Sequence, residues 1–130
     1  NQALRDVLGD HVQQAGSNIT GERLRFDFTH GEGLTAEQRS EVESIVNTQI
    51  KNDLAVSYTE METEKALATG VVGVFGERYG DKVKVYAMGQ YSKEICGGPH
   101  VEHTGVLGRF KLGKEKAIGA GKRRIYGYLE

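Results

Sequence analysis

Cys96-Gly97-Gly98-Pro99-His100 sets a thiol and an imidazole four residues apart across a Gly-Gly-Pro turn. Such a turn can fold both side chains toward one point, and a thiolate with an imidazole is a donor pair that Zn²⁺ accepts in a tetrahedral shell. A catalytic zinc keeps one position open for water or substrate. Gly97 and Gly98, lacking Cβ atoms, let backbone approach a metal or ligand closely. Two donors are too few for a tight site, and His103 offers a third in the run Cys-x-x-x-His-x-x-His. On residue types alone, such a cysteine is more often a small buried hydrophobe than a ligand. His11 and His30 are distant in sequence; His30, at a strand end, reads as a solvent-facing turn residue.

The elements that must position this turn follow from periodicity. Ala3, Leu4, Val7 and Leu8 share one face of a helix end that Gly9 stops. Residues 11–20 and 23–30 read as strands joined by a Gly21-Glu22 turn. In the second strand Leu24, Phe26 and Phe28 face one way and Arg25, Asp27 and Thr29 the other. Arg25 and Asp27 therefore either line a binding face or are solvated, and Gln14 reads as an exposed strand residue. Thr35 with Gln38 forms a capping box that starts a helix running to about Asn52, with Val42, Ile45, Val46, Gln49 and Ile50 as its stripe. Strands follow over 54–59, 82–88 and 92–96. Thr63 is expected to cap a small helix through Ala68, closed by Gly70, and the stretch 76–81 is expected to be a polar turn. A final pair spans 106–115 and 123–129. The order predicts an α+β fold, a largely antiparallel sheet with helices packed on one face, in a single domain over residues 1–130.

Composition narrows the function. The chain has 130 residues, 27% of them charged, with a net charge of −1, so it is no basic nucleic-acid coat and any RNA contact must be a local patch. Lys111, Lys114, Lys116, Lys122, Arg123 and Arg124 supply one candidate. One cysteine cannot form an internal disulfide, which points to a reducing, cytoplasmic setting. No apolar run approaches the ~20 residues that span a membrane, and no signal peptide opens the chain, which starts inside an amphipathic stretch.

Many ordered segments together resemble the editing domain of alanyl-tRNA synthetases. They are Leu8-Gly9-Asp10-His11-Val12-Gln13-Gln14-Ala15-Gly16-Ser17, Leu24-Arg25-Phe26-Asp27-Phe28-Thr29-His30, Phe75-Gly76-Glu77-Arg78-Tyr79-Gly80-Asp81, and Glu94-Ile95-Cys96-Gly97-Gly98-Pro99-His100-Val101. Thr104-Gly105-Val106-Leu107-Gly108-Arg109-Phe110-Lys111 and Gly121-Lys122-Arg123-Arg124-Ile125 complete the set. Pro99 stands where alanyl enzymes usually have Thr, and Gly-Pro-His is more like the related threonyl editing domain; the other segments resemble the alanyl type.

The resemblance implies hydrolysis of serine or glycine esters on the alanine tRNA, within a parent enzyme that joins alanine to that tRNA. It implies a zinc ion held by Cys96 and His100 together with a His-x-x-x-His pair that has no counterpart in this chain. The chain is accordingly expected to begin just downstream of that pair. It also implies that Gln14, with Cys96 and His100, sits at the catalytic centre, and that Arg25, Asp27, Gly97 and Gly98 bind substrate. The expected partners are the acceptor end of the tRNA and the remaining domains of the parent, with no membrane. No segment resembles an ATP-binding core, so ligation belongs to those other domains. The competing expectation is a tRNA-contacting piece without a complete zinc site.

Overall fold

A computed structural model describes residues 1–74 and 78–130. The expected turn at 76–81 and the Phe-Gly-Glu start of one matched segment lie partly outside the described residues.

The α+β expectation holds, with the strands divided between two antiparallel sheets. Helix α1 (Gln2–Leu8) leads into β1 (Gln14–Ile19) and β2 (Leu24–Thr29); the long helix α2 (Ala36–Lys51) follows. Then come β3 (Val56–Glu62), α3 (Thr63–Ala68), β4 (Lys82–Met88), β5 (Ser92–Ile95), a 3₁₀ turn (Thr104–Leu107), β6 (Phe110–Gly119) and β7 (Lys122–Leu129). One sheet has the order β1-β2-β7-β6 and the other β3-β4-β5. No helix among the described residues is long and apolar enough to cross a membrane.

Each sheet has its own core. Ala3 and Leu4 of α1, Val12, Phe26 and Phe28 of β2, Val42 of α2, Leu112 and Ile125 form the larger one. Ala66, Val71, Val83, Val85 and Ile95 form the smaller. Helix α2 starts as its sequence requires: Thr35 accepts from the Gln38 amide at 3.1 Å and the Gln38 side chain accepts from the Thr35 amide at 2.9 Å. Its polar face also covers a sheet edge. β6 is the outer strand, and α2 supplies partners for its backbone: Glu43 accepts from the Leu112 amide, Asn47 bonds both the N–H and the C=O of Phe110, and Arg39 donates to the Gly113 carbonyl. An exposed strand edge invites association, and this helix closes it.

Several boundaries differ from the sequence reading; β3, expected over 54–59, spans Val56–Glu62, and four more have a local cause. β1 starts at Gln14 because the Val12 amide turns back to the Gly9 carbonyl at 3.2 Å and Val12 is fully buried. Thr63 is the first residue of α3, preceded by Glu62 as cap, and its hydroxyl donates to the Gly80 carbonyl. The expected strand at 106–115 begins as a 3₁₀ turn, since Asp53 accepts from the Gly105 amide at 2.9 Å and Gly108 has φ 75°. β6 then runs on to Gly119, so only Ala120-Gly121 closes the hairpin.

Candidate functional site

The two sheets meet along Val72–Val74. Val74 makes a parallel bridge to Gln14 of β1, and Val72 makes one to Glu94 of β5, with the Ile95 amide donating to the Val72 carbonyl at 2.8 Å. The pairing with β5 stops there, because the Val74 amide donates to the Tyr79 hydroxyl at 2.6 Å. The segment Val72–Val74 thus lies between β1, which it meets at Gln14, and β5, which it meets at Glu94 shortly before Cys96. Helix α1 ties the same seam: Asn1 donates to the Glu94 carboxylate at 3.0 Å, and the Tyr91 hydroxyl donates to Asp6 at 2.7 Å. Strands β1 and β5, distant in sequence, are therefore tied through one short segment.

Strand β5 delivers Cys96, whose amide donates to the Lys84 carbonyl at 3.1 Å and whose side chain is half-buried. The turn then folds back. Nδ1 of His100 lies 2.9 Å from the Gly98 carbonyl. A carbonyl only accepts, so this contact puts a proton on Nδ1 and, in the neutral ring, leaves the lone pair on Nε2. Metal-bound histidines are commonly held this way, by a backbone carbonyl on the other ring nitrogen. The ring of His100 also lies flat on Tyr86, with centroids 3.6 Å apart and planes 10° from parallel. By residue type, a half-buried thiol and an imidazole oriented by a backbone carbonyl are two donors that zinc accepts. Among the described residues no group of three or more His, Cys, Asp and Glu side chains is gathered to hold a metal.

His103 takes a different partner. Its Nδ1 bonds the Asp53 carboxylate, and that hydrogen bond, the largest cause, together with the Gly105 amide, holds the Asp53 carboxyl below its ordinary range. Gln14 Nε2 donates to the Ser17 hydroxyl at 3.0 Å along β1. Gly97 and Gly98 lie in the turn beside Cys96, and a Cβ on Gly98 would stand 3.8 Å from its sulfur.

Asp27 is neither solvated nor open to a ligand. It is 5% exposed and forms a two-pronged pair with Arg124, directly opposite on β7, at 2.8 and 3.0 Å. Arg25 stands 3.7 Å from the same carboxylate. The Arg124 bond is the main cause holding the Asp27 carboxyl below its usual range, against the opposing effect of burial. Gly16, opposite Asp27 on β1, leaves room for this carboxylate: a Cβ there would come within 3.4 Å of Oδ2. Two arginines of the C-terminal basic run are thereby committed within the fold, since Arg123 also pairs with the buried Glu115 at 2.7 Å. Lys111 and Arg109 lie near Glu130 at 4.0 and 3.9 Å.

The sequence reading missed the aromatic surroundings of His100. Tyr58 of β3 sits opposite Tyr86 of β4, with centroids 5.2 Å apart, and Lys84 Nζ lies 5.0 Å from the Tyr58 ring. The only signal was a tyrosine in each of two strand-like runs, and their pairing depends on a register the sequence does not display.

The family described as threonyl and alanyl tRNA synthetase second additional domain matches residues 83–126, from β4 through β7. The chain is also similar over its whole length to alanine–tRNA ligases. It is 56% identical to that of Treponema denticola and 55% to that of Treponema pallidum, in each case over 100% of this chain and 22% of the relative. It is 53% identical, over 99% of this chain and 22% of the relative, to that of Borreliella burgdorferi. The chain spans about a fifth of the length of these relatives.

Proposed function

The chain belongs to the second additional domain of alanyl-tRNA synthetases, and from that premise we propose that it is the module that hydrolyses serine or glycine wrongly esterified to the alanine tRNA. The physical need is specific. A pocket shaped for alanine cannot strongly reject an isostere that adds a hydroxyl, and discrimination there reaches only ~10². A second, hydrolytic site restores accuracy.

The observation that supports this reading is the seam at Val72–Val74, which bridges Gln14 of β1 on one side and Glu94 of β5, the strand that leads into Cys96, on the other. Gln14 would bond the amino acid of the substrate through its amide. Cys96 and His100 would hold zinc, with Nε2 of His100 as donor and Nδ1 fixed by Gly98. When bound, zinc supplies Lewis-acid polarisation of an ester carbonyl or of water. The Tyr86 ring keeps His100 from swinging away. Gly97 and Gly98 leave space for the terminal ribose, and Arg25 offers a cation beside the β1–β2 surface. Asp27 acts one step further back, by fixing Arg124 and Arg25.

A second reading, tRNA contact without hydrolysis, is favoured by one observation: His103 is engaged by Asp53, so this chain gathers Cys96 and His100 as a two-donor set. Deacylation separates the two. Seryl-tRNA for alanine, incubated with the ligase that contains this segment and with the 130-residue chain, should lose serine faster with the ligase than without protein. No rate above background from either would sink the hydrolytic reading. Preferential cleavage of the seryl ester on a threonine tRNA would overturn the choice of substrate.

A further inference from the structure

Tyr58, Tyr86 and His100 form a ladder of rings whose outer rung is exposed, with the flexible Lys84 ammonium 5.0 Å from the Tyr58 centroid. Tyr86 is pressed against His100 at 3.6 Å, and His100 is held by the Gly98 carbonyl at 2.9 Å. Tyr58 leans on Tyr86 at 5.2 Å with a 36° tilt. These contacts fix the ladder from one end, yet Tyr58 is 55% exposed. A large aromatic that is held in place and still presented to solvent is the arrangement that stacks planar ligands, because the ordering cost is already met.

We infer that Tyr58 is a stacking platform for an unpaired nucleobase at the 3′ end of an RNA. The inference rests on the proposed hydrolysis and adds where the end of the substrate lies. Two ring-to-ring steps, of 5.2 and 3.6 Å, separate Tyr58 from His100. A nucleoside whose base stacks on Tyr58 can lay its ribose toward the Cys96–His100 turn. Base stacking, rather than phosphate attraction, supplies the affinity here. Lys84 lies over the Tyr58 ring, but Glu60 stands opposite Lys84 and Glu94 opposite Tyr86, so the surface carries both signs of charge. The binding is therefore only weakly dependent on salt, unlike a phosphate-driven contact.

The chain has no tryptophan, so Tyr58→Trp introduces a single indole reporter. The probe is a short RNA duplex with an unpaired 3′ tail ending in adenosine, and its partner is the same duplex with an abasic last position. Fluorescence anisotropy of labelled RNA reads binding; quenching of the indole reads stacking. The intact tail should quench the indole and the abasic tail should not. Tyr58→Ala should bind the intact tail about fivefold or more weakly, and Tyr58→Phe should bind it as the parent does. Binding that survives Tyr58→Ala unchanged, with no quenching in Tyr58→Trp, overturns the stacking platform and leaves the hydrolytic reading standing. No binding of either RNA, alongside absent deacylation, overturns both.

Discussion

Gly73→Ala tests the seam that aligns the site. A Cβ at Gly73 would stand 2.7 Å from the Tyr79 hydroxyl and 3.4 Å from two ring carbons. That hydroxyl is also the acceptor for the Val74 amide, at 2.6 Å. The added methyl therefore displaces the oxygen and leaves the Val74 amide without its partner. Losing one hydrogen bond costs about 1 kcal/mol, and an orphaned, partly buried amide adds up to roughly as much again. Gly73→Ala should therefore destabilise by about 1–2 kcal/mol. With a urea slope of ~2 kcal/mol/M, the midpoint falls by roughly 0.5–1 M. Tyr79→Phe alone should cost a similar amount, roughly 1–2 kcal/mol, because it removes the acceptor and orphans the same Val74 amide without a clash. The double variant should cost little more than Tyr79→Phe, since the ring carbons at 3.4 Å tolerate the methyl once the oxygen is gone. Deacylation should fall in Gly73→Ala, because Val72 and Val74 tie β1 at Gln14 to β5 at Glu94, the strand that leads into Cys96. Strictly additive costs in the double variant would refute the described contact. Full stability with unchanged deacylation in Gly73→Ala would refute the seam as the aligning element.

Other outcomes follow from the same geometry. Asp27 has a folded pKa below its ordinary 3.8, so its contribution is present above pH ~4 and is lost as pH falls through the folded value. Acid unfolding followed by circular dichroism should lose that part of its pH dependence in Asp27→Asn. Thr35→Ala removes one half of the α2 capping box and should cost about 1 kcal/mol in urea unfolding. Cys96→Ser should leave the urea midpoint nearly unchanged, because the side chain is half-buried, while lowering zinc content and cutting deacylation at least tenfold. Unchanged zinc content in that variant would remove Cys96 from the ligand set.

Local signals were the most legible in the sequence. The capping box at Thr35 and Gln38 and the strand from Leu24 to Thr29 act within a few residues and appear as read, apart from the burial of Asp27. Features that depend on distant partners did not show. Asp27 alternates with Phe26 and Phe28 as a solvent-facing residue would, and its burial requires Arg124, 97 positions later. Thr63 looked like a cap, but Gly80 claims its hydroxyl. The 3₁₀ turn at Thr104–Leu107 depends on Asp53 accepting from Gly105 across 52 positions. The Tyr58–Tyr86 rung needs the β3–β4 register, set across a connection that includes α3.

The presence of two cores has a consequence for how the site is populated. Gln14 belongs to the sheet built around Phe28, and Cys96 leaves the strand whose Ile95 packs with Val85. Each cluster is a candidate cooperative unit, able to open without melting its neighbour. The competent arrangement exists only in the fraction of molecules in which both units are closed and docked. Amides on the docking line, such as that of Ile95 bonded to Val72, should exchange with solvent faster than amides inside either sheet. The Tyr91–Asp6 bond helps to set that fraction from the far side of the seam. Burial, and then Asp6, pushes the Tyr91 phenol up, which keeps its hydroxyl a donor throughout the neutral range. Weakening that remote bond should thin the docked population, and with it the proposed deacylation, while leaving Gln14, Cys96 and His100 chemically intact.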